Sequence, residues 1–166
     1  MKKYEFTGET KRYCGQTLRR IRAVRDFGNV KKGDLGGFIQ NEGNLSHDGT
    51  AWVYDNASVI GNACVSGNAR IYNNAQIFGN AKIYGDARIY NYARVFNNAR
   101  VSGNAWIFSN ASIFDNAKIC GNAQIGDNAQ ICGDVEVSKN RMFCGTEKEL
   151  FDIACKTLQK MKNPGR

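Results

Sequence analysis

Between Ala51 and Asn140 the chain repeats a six-residue unit fifteen times without an insertion or a deletion. Position one is Ala in fourteen units, position three is Ile or Val in all fifteen, and position six is Asn or Asp in fourteen. Position five is usually Gly, Asn or Asp. Self-similarity this strict specifies a repeat architecture before any motif is considered. Ala at one and Ile or Val at three alternate with outward positions two and four, which is strand patterning of period two. Positions five and six hold residues that accept left-handed backbone angles. Each unit is therefore a very short strand followed by a corner. Tyr92, the lone departure at position six, is expected to bulge from its corner.

An aliphatic residue followed four positions later by a small one, as in Ile71 with Ala75 and Ile77 with Ala81, resembles the hexapeptide-repeat left-handed parallel β-helix. The resemblance covers about ninety of the 166 residues. It implies three hexads per triangular coil and about five coils of eighteen residues, stacked at roughly 4.8 Å. A right-handed β-helix is the alternative, with longer and less regular coils. Upstream, Gly33-Asp34-Leu35-Gly36-Gly37-Phe38-Ile39, then Glu42, then Asn44 to Gly49, leads into Ala51-Trp52-Val53. This lead-in resembles that of YdcK-like proteins, a group common in phages and prophages and often labelled acetyltransferases from the fold alone. Fold does not decide function.

The expected architecture is all-β: an N-terminal β cap over residues 1–38, the β-helix over 39–140, and a C-terminal segment over 141–166. In that last segment Thr146-Glu147-Lys148-Glu149 fits a helix capping box. Leu150, Ala154, Leu158 and Met161 then recur at helical spacing, which predicts an amphipathic helix ending before Pro164. Leu18 to Arg25 is the most strand-like stretch of the cap.

Charge is unevenly placed. Residues 1–36 carry ten Lys or Arg against four acids, residues 37–140 seven against eight, and residues 141–166 six against three, which together make the net +8. The basic ends either meet nucleic acid or an acidic protein surface, or serve as charged caps on a repeat whose ends would otherwise be sticky. Arg19, Arg20, Arg22 and Arg25 are the candidates in the cap. The six Cys form no CxxC pair, so neither zinc nor a disulfide framework is expected. No apolar run reaches the length of a membrane span, and Met1 to Phe6 lacks the apolar stretch of a signal peptide. The expectation is a cytoplasmic protein with reduced thiols, in the host cytoplasm if phage-encoded, with no membrane partner.

Residues eighteen apart stack into columns. On the first face Tyr54, Tyr72, Tyr90 and Phe108 stand beside Trp52, Arg70, Arg88 and Trp106. Tyr72, Tyr90, Arg70 and Arg88 there are candidates for holding nucleic acid or a protein. The second face carries Ile60, Phe78, Phe96 and Phe114, an outward apolar strip that points to self-association, most simply a dimer; stacked rings supporting one another are the alternative. On the third face Lys82, Arg100 and Lys118 form a like-charge ladder that an acidic partner would relieve.

Hexapeptide acyltransferases typically use a His general base. The coils contain none, and the chain's one His is His47, in the turn Ser46-His47-Asp48-Gly49. It is a weak catalytic candidate, since general-base chemistry also needs an orienting group. No cofactor and no metal is expected. The residues favour a non-catalytic, phage-type binding protein that occludes a host protein or nucleoprotein, with counter-defence, including inhibition of a CRISPR complex, as one form. The alternatives are an acetyl-CoA-dependent acyltransferase centred on His47 and a purely structural, self-assembling solenoid.

Overall fold

A computed structural model describes residues 1–138, Asn140 and residues 142–144. The chain is a parallel β-solenoid. Fifteen two- or three-residue strands, from Trp52–Val53 to Glu136–Val137, fall into three sheets whose neighbours lie eighteen residues apart, as in Arg88 with Trp106 and Val95 with Ile113. Every Ala at position one and the β-branched residue at position three are buried. They form one continuous core with the N-terminal segment.

The corners form as their residue types dictate. Position five takes a left-handed conformation in every unit from Asp55 to Gly133, with φ between 53° and 76°. Asn and Asp accept this at modest cost and Gly at none; Ser109, at φ 56°, has neither advantage. Position-six amides then bond along the solenoid. Asn62, Asn80, Asn98, Asn116 and Asp134 form an unbroken ladder of 2.8 to 3.2 Å. Tyr92 projects from its corner, 62% exposed, while its N–H still donates to the Ser109 carbonyl at 2.9 Å. The side chain stands out without disturbing the backbone.

The solenoid has a direction. N–H groups at positions two, four and six donate to carbonyls at positions one, three and five of the following coil, as Arg88 N to Ala105 O and Tyr90 N to Ile107 O. The first coil therefore presents unpaired carbonyls toward the N-terminus, and the segment before it satisfies most of them. Strand β3 (Leu35–Ile39) runs parallel to Ser58–Val59, with Phe38 and Gln40 donating to Ala57 and Val59. Asn44 Nδ2 donates to the carbonyls of Gly61 and Ala63, and Ser46 N to that of Val65. This lead-in turn pairs twenty residues ahead, not eighteen. Residues 46–50 supply the surplus. With the strand Met142–Cys144 at the other end, the solenoid has about six turns.

Ahead of β3, strands β1 (Tyr4–Tyr13) and β2 (Gln16–Ala23) form an antiparallel hairpin. Its turn is Cys14-Gly15, both at positive φ, the mirror-image turn that matches strand twist. Strand β2 pairs with β3 and so continues one sheet of the solenoid. Gly36 and Gly37 permit the close crossing: a Cβ at Gly36 would lie 2.6 Å from Ile21 and 2.7 Å from Trp52, and one at Gly37 2.6 Å from the Ala57 carbonyl.

Two sequence expectations need correction. Trp52 stands in an outward column yet is fully buried, with Tyr4 and Phe27 edge-on to its ring. Ile60, expected in a self-association strip, is 7% exposed and packs with Leu18 and Phe38. The reason is the same for both: the N-terminal segment leans over the outside of the first coil as well as closing its end. The C-terminal helix expected after Thr146 lies outside the described residues. Among the described residues no helix is long and apolar enough to cross a membrane.

Candidate functional site

His47 sits in the long corner of the lead-in turn, stacked on Tyr4 at 4.4 Å between ring centroids. Its Nδ1 accepts from the backbone N–H of Lys3 at 3.3 Å. An acceptor at Nδ1 places the neutral ring's proton on Nε2, and Nε2 is buried without a hydrogen-bond partner. Burial holds the imidazole below the ordinary His value. Glu42 opposes this, and Lys2, Lys3 and the chain's amino group add to it. One nitrogen is occupied and the other is enclosed and protonated, so the ring as placed offers no free basic nitrogen to an acceptor.

Arg19, Arg20 and Arg22 are engaged within the chain, whereas the Nε of Arg25 is buried without a hydrogen-bond partner. Arg20 bonds Glu9 at 3.2 Å and the Gly36 carbonyl at 3.1 Å, and lies over the Phe38 ring. Arg22 Nε bonds Glu5 at 3.1 Å. Arg19 lies 3.8 Å over the Phe6 ring, and Arg25 lies 5.8 Å from that of Phe27. A bulge shifts the pairing of β2 with β3 between Arg20 and Arg22, so simple alternation does not carry through this segment. All four ion pairs among the described residues fall between residues 2 and 42.

The coil cations are differently placed. Lys82, Arg100 and Lys118 lie directly side by side in the parallel ladder, all exposed, with Glu136 beside Lys118 at its end. None of the three joins an ion pair among the described residues. A shallow cavity of about 270 Å³ opens beside them, lined by Tyr84, Arg100, Ser102, Lys118, Cys120 and the acidic Glu136 among others. On the second face the rings of Phe78, Phe96 and Phe114 are parallel within 4° and 4.7 to 5.0 Å apart. Each ring face covers the next, which leaves the strip half-buried, and Phe78 also packs against the hairpin.

The first face breaks its own regularity. Tyr54 stacks on Tyr72 at 4.6 Å, and Tyr90 on Phe108 at 5.4 Å. Between the two pairs lies a cavity of about 300 Å³, lined by Tyr72, Asn73, Arg88, Tyr90 and Trp106. The sequence placed these residues in adjacent columns; it gave no sign that the aromatic column parts in the middle. Among the described residues no group of three or more His, Cys, Asp or Glu side chains is placed to hold a metal ion.

Fold and columns together define a parallel β-solenoid with cations and aromatic rings ranked in columns on its outer faces. Residues 93–108 match the family model described as the YdcK β-solenoid repeat. The chain is also 33% identical over 67 residues to an Escherichia coli (strain K12) protein described as an uncharacterized acetyltransferase, YdcK. That similarity covers 36% of this chain and 21% of the relative, so the chain matches about a fifth of its length. This chain is a parallel β-solenoid, with the match to the YdcK-type repeat confined to residues 93–108.

Proposed function

We propose that the chain is a non-catalytic binding solenoid whose third face docks against an acidic surface of a host protein or nucleoprotein and occludes it. The observation that carries this reading is the ladder Lys82, Arg100, Lys118. Like charges directly opposite on neighbouring strands repel; Glu136 stands beside Lys118 at the end of the ladder, while Lys82 and Arg100 have no acid beside them on it. An anionic partner removes that repulsion, and a rigid sheet holds the cations in place beforehand. The coil's hand in this reading is left, as short regular hexads imply. Phage origin in this reading rests on the resemblance of the lead-in; counter-defence, as against a CRISPR complex, fits a small rigid protein with basic ends, and no residue singles out that target.

Tagged wild-type protein and the Lys82→Glu/Arg100→Glu/Lys118→Glu variant, incubated with host lysate at low salt, test the reading. A protein or nucleoprotein held by the wild type should be released by the variant and by added salt. A partner retained equally by both would exclude the third face.

The relative's description raises acyl transfer as a second reading, with His47 as the base. The enclosed Nε2 argues against it. Thiol release from acetyl-CoA, measured with a panel of amines and sugars, should not exceed background and should be unaltered in His47→Ala.

A further inference from the structure

We propose that the cleft between Tyr72 and Tyr90 binds a planar aromatic ring bearing an anionic group, which is the chemistry of a nucleotide. The cleft exists because the first-face aromatic column is anchored at both ends. Tyr54 packs against the core beneath the N-terminal cap and draws Tyr72 with it. At the other end Phe108 lies across Gly126, where a Cβ would come within 2.2 Å of the ring. That glycine notch lets Phe108 lean toward the C-terminal end, and Tyr90 follows as its stacking partner.

Tyr72 and Tyr90 therefore each have one ring face covered by a neighbour and the other turned to the gap between adjacent coils. Two facing aromatic surfaces on a rigid sheet select a flat guest, because stacking is lost by any ligand with out-of-plane bulk. A volume of about 300 Å³ is at the lower end of small-molecule sites. Trp106 forms a further wall and is 36% exposed. Arg88 supplies the charge preference. Its guanidinium lies over the Trp106 ring, 5.1 Å from the centroid, and its donors meet no acceptor among the described residues. Arg70 stands beside it on the neighbouring strand, also outside any ion pair. A ring between the tyrosines and a phosphate on the arginine fork satisfy both features together. The site is on a different face from the Lys82 ladder, and the inference does not depend on that reading.

The test is titration of the full chain with AMP, followed by quenching of tryptophan fluorescence and by calorimetry, since Trp106 is the accessible indole and Trp52 is buried. Saturable binding is expected. Adenosine, which lacks the phosphate, and ribose 5-phosphate, which lacks the ring, should each bind at least about tenfold more weakly. Tyr90→Ala and Arg88→Gln should weaken AMP by a similar factor. Gly126→Ala should do so as well, although it replaces no lining residue, because it pushes Phe108 and Tyr90 back over the cleft. Tyr84→Ser on the third face should change nothing. A short oligo(dA) binding more tightly than AMP would assign the source to single-stranded nucleic acid; equal or weaker binding would assign it to the free nucleotide. No saturable AMP binding, equal binding of ribose 5-phosphate, or indifference to both Tyr90→Ala and Arg88→Gln would overturn the proposal.

Discussion

The ammonium of Lys3 donates to the carbonyl oxygen of Ala51 at 2.9 Å, from a side chain with no solvent exposure. Position-one carbonyls of later coils receive an N–H from the coil before; in the first coil a lysine takes that place. Lys11 donates to the neighbouring corner carbonyl of Asn56, outside the ladder, at 3.0 Å. The basic N-terminal segment thus meets the carbonyl end of a directional stack, where cations are favoured for the same reason as at the C-terminus of a helix.

Lys3 gives a pH dependence with a definite sign. Burial, with Arg25 nearby, pushes its pKa down to about 8 from 10.5, against a smaller upward pull from Asp48. Between those values the unfolded chain holds a proton that the folded chain has released, so stability rises with pH across that window. Lys11 shifts the same way; Tyr4, raised by burial, opposes the rise as pH passes 10. Denaturant melts should therefore gain stability from about pH 8 to pH 10. Lys3→Met should remove about 1–2 kcal/mol of that gain, allowing for solvent screening. Parallel curves for the two proteins would count against the assignment.

Ile89 is fully buried in the middle of its column, between Ile71 and Ile107. Ile89→Asp places an unpaired charge in the core and should cost about 4 kcal/mol or more, enough to unfold the protein. Far-UV circular dichroism should show loss of the strand signal.

Tyr92→Asn should leave stability within about 0.5 kcal/mol of wild type. Asn bonds run unbroken along the Asn62 corner, but in the Tyr92 column neither Asn56 with Asn74 nor Asn110 with Asn128 is bonded, so an amide at position 92 has no ladder to join. A new amide pair would instead add about 0.5–1 kcal/mol, or about 2–4 °C in Tm for a chain this long. A variant melting below wild type would mean that the projecting ring makes a contact of its own.

Self-association, if it uses the second face, has only Phe96 and Phe114 freely available, because Ile60 is covered and Phe78 abuts the hairpin. Light scattering should return a dimer for wild type and a folded monomer for Phe96→Ser/Phe114→Ser. A monomeric wild type at high concentration would remove the idea.

The hexad made the core legible down to individual residues, because position three can only point inward once Ala, turn and period are given. It could not show that Trp52 and Ile60 are covered. Outward means exposed only where nothing else packs, and the hairpin that covers them has no period to read. Counting charges found the basic cap but not its use, since the carbonyl polarity of the stack is a property of the assembled coils. The first-face cleft was hidden for a related reason. Gly126 departs from an aromatic column by one residue, and its effect is felt two coils away, through Phe108 and Tyr90.

The eighteen-residue period also limits how such a gene can change. Duplication or loss of eighteen residues lengthens or shortens the rod by one layer and leaves every later side chain on its own face. A six-residue slip preserves the corner chemistry and the buried column, yet it turns everything downstream by one face. The cation ladder, the phenylalanine stack and the tyrosine column would all be cut and rejoined to the wrong neighbours. Folding would tolerate that event far better than recognition would. Unit-length variation among relatives should therefore come in threes.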